Sequence, residues 1–200
     1  MSKTRALQLA ELGVPGAAVG AASGAVVGLL AAAVGHPIGW AAVGALTLGV
    51  PLALLGAGYG AIAATGWFRP GVFAPVAIYW MLGFPLSRLL HETVTPALLG
   101  GSFAPPGDVL TFLVFQALVS MGYAIGFIWL HERIAPHWLM RIQDHNPAAQ
   151  ALFAVYVKQA SAMWEARESK RARRSSTGRD RPRAAASSSG VALARSRRSS

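Results

Sequence analysis

Arg88, His91 and Glu92 are the side chains whose types and spacing could do chemistry. At i, i+3 and i+4 they share one face of a helix, and they close an apolar stretch. A guanidinium, an imidazole and a carboxylate so placed can hold an ion, relay a proton or grip a polar ligand, and ionisable groups at a membrane span mark such sites. The same spacing also suits a plainer role. An Arg88–Glu92 pair anchors a helix end, and a histidine near a helix C-terminus is favoured by the macrodipole. Gln116 sits in a later apolar stretch with Ser120 four residues on, able to hydrogen-bond across to a neighbouring helix.

The His-Glu pair occurs twice. Leu90-His-Glu-Thr-Val-Thr-Pro96-Ala-Leu-Leu99 and Leu130-His-Glu-Arg-Ile-Ala-Pro136-His-Trp-Leu139 agree at Leu, His, Glu, Pro and the final Leu. Each closes an apolar run, so on consecutive antiparallel spans the copies would face opposite sides, as inverted repeats do. Shared helix-end chemistry gives the same pattern. Neither copy is a His-Glu-x-x-His zinc motif, because Thr95 and Ala135 hold the last position. His131, His137 and His145 with Glu132 and Asp144 match no common metal spacing, and His36 lies in a turn rather than where a haem ligand would sit. The sequence has no cysteine, no G-x-S-x-G elbow and no phosphate-binding loop. No metal, no cofactor and no catalytic residue is expected, and the chain is read as non-enzymatic.

The elements that must position these residues are apolar. No charged residue occurs between Leu12 and Phe68, a run that suits two spans with a tight turn. Its first half carries Gly16, Gly20, Gly24 and Gly28, a ladder at every fourth position. Interior glycine weakens a helix in water by about 1 kcal/mol each. A bilayer forces the backbone to pair internally, and the bare stripe then admits close approach of another helix. Gly56 with Gly60, and Gly122 with Gly126, repeat the small-xxx-small spacing.

The expected fold is an all-α integral membrane protein, a four-span transmembrane helical bundle. After a basic lead over residues 1–11, spans are placed at 12–34, 38–64, 72–90 and 109–130, with an extracytoplasmic loop at 91–107. Asp108 is placed as the N-cap of the fourth span. An amphipathic helix over 136–166 is expected to lie in the membrane interface or against the underside of the bundle. Residues 167–200, basic and serine-rich, are expected to be disordered.

The net charge of +10 is concentrated toward the C-terminus. With four spans, every lysine and arginine except Arg88 falls on one side, which places both termini in the cytoplasm of a cell-membrane protein. Arg171, Arg173 and Arg174 of the polybasic tail are candidate contacts for anionic lipid headgroups or an acidic partner. Nucleic acid is disfavoured, because no aromatic or folded module accompanies the arginines. The function expected is that of an accessory or scaffolding subunit, packing through glycine-rich helix faces with itself or a larger membrane complex. The alternative is a small oligomeric transporter or channel, drawing on the Arg88, His91 and Glu92 face.

Overall fold

The computed structural model describes residues 3–68 and 71–196, with side-chain surroundings for 5–68 and 71–174. Arg69, counted above in the charge asymmetry, lies outside the described residues, as do positions 1–2 and 197–200. Five helices follow in order: α1 (Lys3–Ala33), α2 (Ile38–Ala63), α3 (Phe73–Leu98), α4 (Val109–Ile142) and α5 (Pro147–Ser196). No strand occurs among the described residues. Helices α1 to α4 are each long and apolar enough to cross a membrane. The chain forms two compact units, residues 1–156 and 157–200.

In the first unit the helices run up, down, up and down. Gly35 stops α1 at φ 94°. His36 N–H reaches back to the Ala31 oxygen and Gly35 N–H to the Ala32 oxygen, the paired bonds of a Schellman motif, and Pro37 then starts α2. With so short a turn, α1 and α2 are antiparallel neighbours. Side chains from α2, α3 and α4 fill the centre of the bundle with rings. Trp80, Phe127 and Tyr59 are buried there, with Trp80 and Phe127 ring centroids 4.6 Å apart and Tyr59 and Phe127 5.1 Å apart.

The polarity is that of a protein dissolved in lipid. Leu29, Leu54, Leu82 and Leu118 are 65–71% exposed, whereas Ser87, Ser120 and His131 are 4% exposed or less. A water-soluble domain rarely shows apolar surface on every helix. Four such helices with this surface make a multi-pass membrane protein.

Four boundaries differ from expectation. Residues 3–11, placed as a lead before the first span, already belong to α1. Residues 91–98, placed in the loop, continue α3, and the loop begins at Leu99. The helix stops at a second Schellman motif, with Gly100 at φ 87°, Gly101 N–H on the Pro96 oxygen and Gly100 N–H on the Ala97 oxygen. Residues 131–142, placed partly beyond the fourth span and partly in the interfacial helix, continue α4. Pro96 and Pro136 each remove one backbone bond without ending the helix, as membrane helices allow. The basic segment from Arg167, expected to be disordered, is helical as far as Ser196. Over residues 167–174 the arginines, lysine and alanine are good helix formers, so local propensity favours helix there even without a buried face. Asp108 does cap α4, its side chain accepting from Thr111 N–H at 3.0 Å.

At the end carrying the N-terminus, the start of α5 packs under the bundle rather than lying free in an interface. Ala149 is fully buried with Leu12, Leu139 and Ile142, and Leu152, Phe153 and Tyr156 pack against that cluster. Asn146 ties three segments together. Its amide nitrogen donates to the Gln8 carbonyl and to a Glu11 carboxylate oxygen, both at 2.9 Å, while its own oxygen accepts from Ala149 N–H at the start of α5. Trp138 Nε1 donates to the Glu11 carbonyl at 2.7 Å, so α1 is bonded to both α4 and the α4–α5 turn.

Candidate functional site

The glycine ladder faces α2 along its whole length. A Cβ built on Gly16 would fall on the carbonyl of Gly56, and one on Gly20 would fall on the Leu52 backbone. At Gly24 it would meet the Gly49 Cα and the Ala45 oxygen, and at Gly28 the Ala45 methyl at 2.6 Å. Gly60 lies against the Leu12 carbonyl and Gly13 in the same way. The two backbones therefore touch, which only glycine permits. The third pair is different. Gly122 and Gly126 are exposed on α4, and a Cβ on either would meet nothing within 4 Å. Exposed Leu118, Ile125 and Trp129 flank them.

The Arg88, His91 and Glu92 face divides. His91 turns toward α2, where its Nδ1 lies 2.8 Å from Thr47 Oγ1 and 3.2 Å from Thr95 Oγ1. The two threonine hydroxyls are 2.7 Å apart, and Thr47 Oγ1 also donates back to the Val43 carbonyl at 2.9 Å. Gly44 lies beneath the ring, and a Cβ there would stand 3.8 Å from His91 Cε1. Thr47 was not legible as a site residue, because a threonine within a span ordinarily bonds its own helix backbone.

Arg88 pairs with Glu92 in a close ion pair on α3. Arg88 also lines a cleft of about 340 Å³ between the four helices of the bundle. Ser23, Phe115, Gln116, Val119 and Tyr123 line it too. Gln116 is 8% exposed, and its amide has no hydrogen-bond partner among the described residues. The Tyr123 hydroxyl is buried facing Ser23 without a formed hydrogen bond, and Ser23 donates to its own helix at Val19. Ser120 likewise bonds back to Ala117 of α4 rather than across the bundle. A larger cavity, about 640 Å³ between α2 and α3, is walled by apolar side chains such as Leu55, Phe68 and Ile78. The Tyr79 hydroxyl on its wall is occupied in donating to the Leu55 carbonyl.

The two His-Glu copies sit in unlike surroundings. His131 is buried between the rings of Tyr59 and Phe127, and neither ring nitrogen has a partner. Glu132 accepts from Gly71 N–H at the α2–α3 turn, whereas Glu92 pairs with Arg88. His137 bonds to the Arg133 carbonyl and His145 to Glu11, so His131, His137 and His145 do not converge. In the second unit, Arg171 and Arg174 share a face of α5 with Arg167 and Lys170. Arg173 is not among the residues that line it.

No family model, curated protein or solved structure matches this chain. The site must be read from its own chemistry.

Proposed function

We propose that this chain is a non-catalytic accessory or scaffolding subunit of the cell membrane, with both termini cytoplasmic, which associates laterally with itself or with a larger membrane complex. The observation that carries this reading is the exposed Gly122–Gly126 step on α4, an unfilled notch in an otherwise bulky apolar surface. Close helix approach needs such a notch, and lipid alone does not. Of the three glycine faces offered for association, the α1 ladder and Gly56–Gly60 are occupied by each other within the bundle. The association surface is therefore assigned to α4. The orientation rests on Lys3, Arg5, Arg133 and Arg141 standing at the end of the bundle where α1 and α5 begin, with Arg88 toward the other. The tail arginines Arg171 and Arg174 then face the anionic leaflet, where each charge near the surface is worth about 1 kcal/mol.

The test is a mild-detergent pull-down of the intact protein with mass spectrometry, beside Gly122→Leu and Gly126→Leu. Wild type should bring down a stoichiometric partner or a defined homo-oligomer, and the leucine variants should remain folded and lose it. Association unchanged in both variants would overturn the reading. A small oligomeric transporter or channel is the second reading, favoured by the Arg88–Gln116 cleft. Solute flux in proteoliposomes that depends on Arg88 would favour it.

A further inference from the structure

The cleft that Arg88 lines brings unpartnered polar groups together beside a charged side chain, whereas the other buried groups without a partner, Trp80 Nε1 and the His131 ring, lie among aromatic rings. We propose that the cleft binds one zwitterionic phospholipid bearing a primary ammonium, with the phosphate on Arg88, the ammonium on Glu92 and the glycerol-ester region beside Gln116 and Tyr123.

Four observations support this occupant. The first is donor supply. A guanidinium has five N–H donors in a planar fork, and among the described residues Arg88 is hydrogen-bonded to Glu92 alone. The remaining edge fits a phosphate, which arginine engages two-pronged. Secondly, Gln116 is more than nine-tenths buried and its amide is unpartnered, as is the Tyr123 hydroxyl. Buried polar groups ordinarily find partners, so these two mark where polar atoms of a ligand belong. Tyr123 packs on Phe84, one turn of α3 (about 5.4 Å) nearer the start of that helix than Arg88. In a phospholipid the ester carbonyls lie just below the phosphate, in the same order.

Access is the third. The cleft borders Phe115 and Val119, which are exposed on the apolar surface of α4. An occupant enters sideways from the bilayer, which a water-borne anion cannot do. The fourth is charge. Arg88 and Glu92 together are neutral, and Glu92 is 40% exposed at its side chain. A purely anionic headgroup would meet the Glu92 carboxylate. A zwitterion satisfies both partners without separating them.

The experiment is native mass spectrometry of the full-length protein in detergent. It is titrated separately with phosphatidylethanolamine, phosphatidylcholine, phosphatidylglycerol and free phosphoethanolamine. Phosphatidylethanolamine should be retained about tenfold more tightly than phosphatidylcholine, whose methylated ammonium cannot donate a hydrogen bond. Arg88→Gln should weaken phosphatidylethanolamine retention by about tenfold or more, and Glu92→Gln should move the preference to anionic phosphatidylglycerol. An ion pair that merely anchors the helix end would give no such change of headgroup preference. Equal retention of the three lipids by wild type would overturn the proposal, and so would an order unchanged by both substitutions. Free phosphoethanolamine binding as tightly as the lipid would overturn the lateral, chain-bearing part. Should Arg88→Gln not fold, Gln116→Leu removes the polar amide from the other wall. It should lower phosphatidylethanolamine retention with the helical signal intact, and unchanged retention would again overturn the proposal.

Discussion

Adding one methyl group at Gly24 tests the packing of the bundle most directly. A Cβ there would lie 2.5 Å from the Ala45 oxygen and 2.6 Å from the Gly49 nitrogen, where ordinary contact begins at 3.4 Å. These neighbours are backbone atoms with no rotamer to change, and the Gly49 Cα stands closer still, so α1 and α2 must separate by more than about 0.9 Å. A gap of that size forfeits roughly a quarter to a half of the dispersion attraction of each facing atom pair. Overpacking typically costs about 1–3 kcal/mol, and the rigid seam puts Gly24→Ala near the upper end. Alanine's better helix propensity returns about 1 kcal/mol at most, leaving a net loss of about 2 kcal/mol. At roughly 2–4 °C per kcal/mol for a chain of this size, the midpoint of thermal unfolding should fall by about 4–8 °C. The assay is circular dichroism or size-exclusion loss on heating in detergent, with Gly122→Ala alongside. That control adds the same methyl where nothing lies within 4 Å and should leave the midpoint unchanged or slightly higher. Equal midpoints for the two variants would refute the assignment of the ladder to the α1–α2 seam.

Other consequences can be checked separately. Thr47→Val removes the hydroxyl that joins His91 to Thr95 and should lower stability by roughly 1 kcal/mol, the scale of interhelical hydrogen bonds in membranes, read as an earlier unfolding midpoint in added SDS. Asn146→Ala unties α1 from the α4–α5 turn and should cost about 1–3 kcal/mol, with limited proteolysis near residue 146 accelerating first. Thr111 holds the Asp108 carboxyl below its ordinary value of 3.8 by hydrogen bonding. Its capping contribution is therefore full at neutral pH and is lost as pH falls below that value, so Asp108→Ala should flatten the acid limb of the stability profile. Burial, with the nearby Tyr59 and Glu132, holds the Tyr156 phenol neutral well above its usual value of 10.0. Its contribution should be full below pH 10 and decline from there until pH passes the higher folded value, and spectrophotometric titration of Tyr156→Phe should show one fewer late-ionising tyrosine.

The four apolar helices were legible because a long charge-free run and period-four glycines are local signals. Their ends were less so. Pro96 and Pro136 read as breaks by the habits of soluble proteins, yet helix bonding in a bilayer has no water to fall back on, and α3 continues until Gly100 supplies a left-handed residue. The site was half legible. Arg88, Glu92 and Gln116 carry types that stand out in an apolar stretch, and they do meet around one cleft or its rim. Ser23 and Tyr123 complete that cleft from α1 and α4, and nothing in their local sequence distinguishes them from lipid-facing neighbours. The bonds of Glu11 to Trp138 and Asn146 span more than a hundred residues and follow only from how the helices pair.

The α1–α2 contact also bears on how the chain is made. Its cohesion comes from main-chain atoms of two helices joined by a turn of four residues, so it needs nothing from α3 or α4. The first two spans can close on each other while the rest is still being synthesised, and enter the bilayer as a thin, pre-paired wedge. Later helices then meet a finished surface, onto which their aromatic side chains assemble the interior.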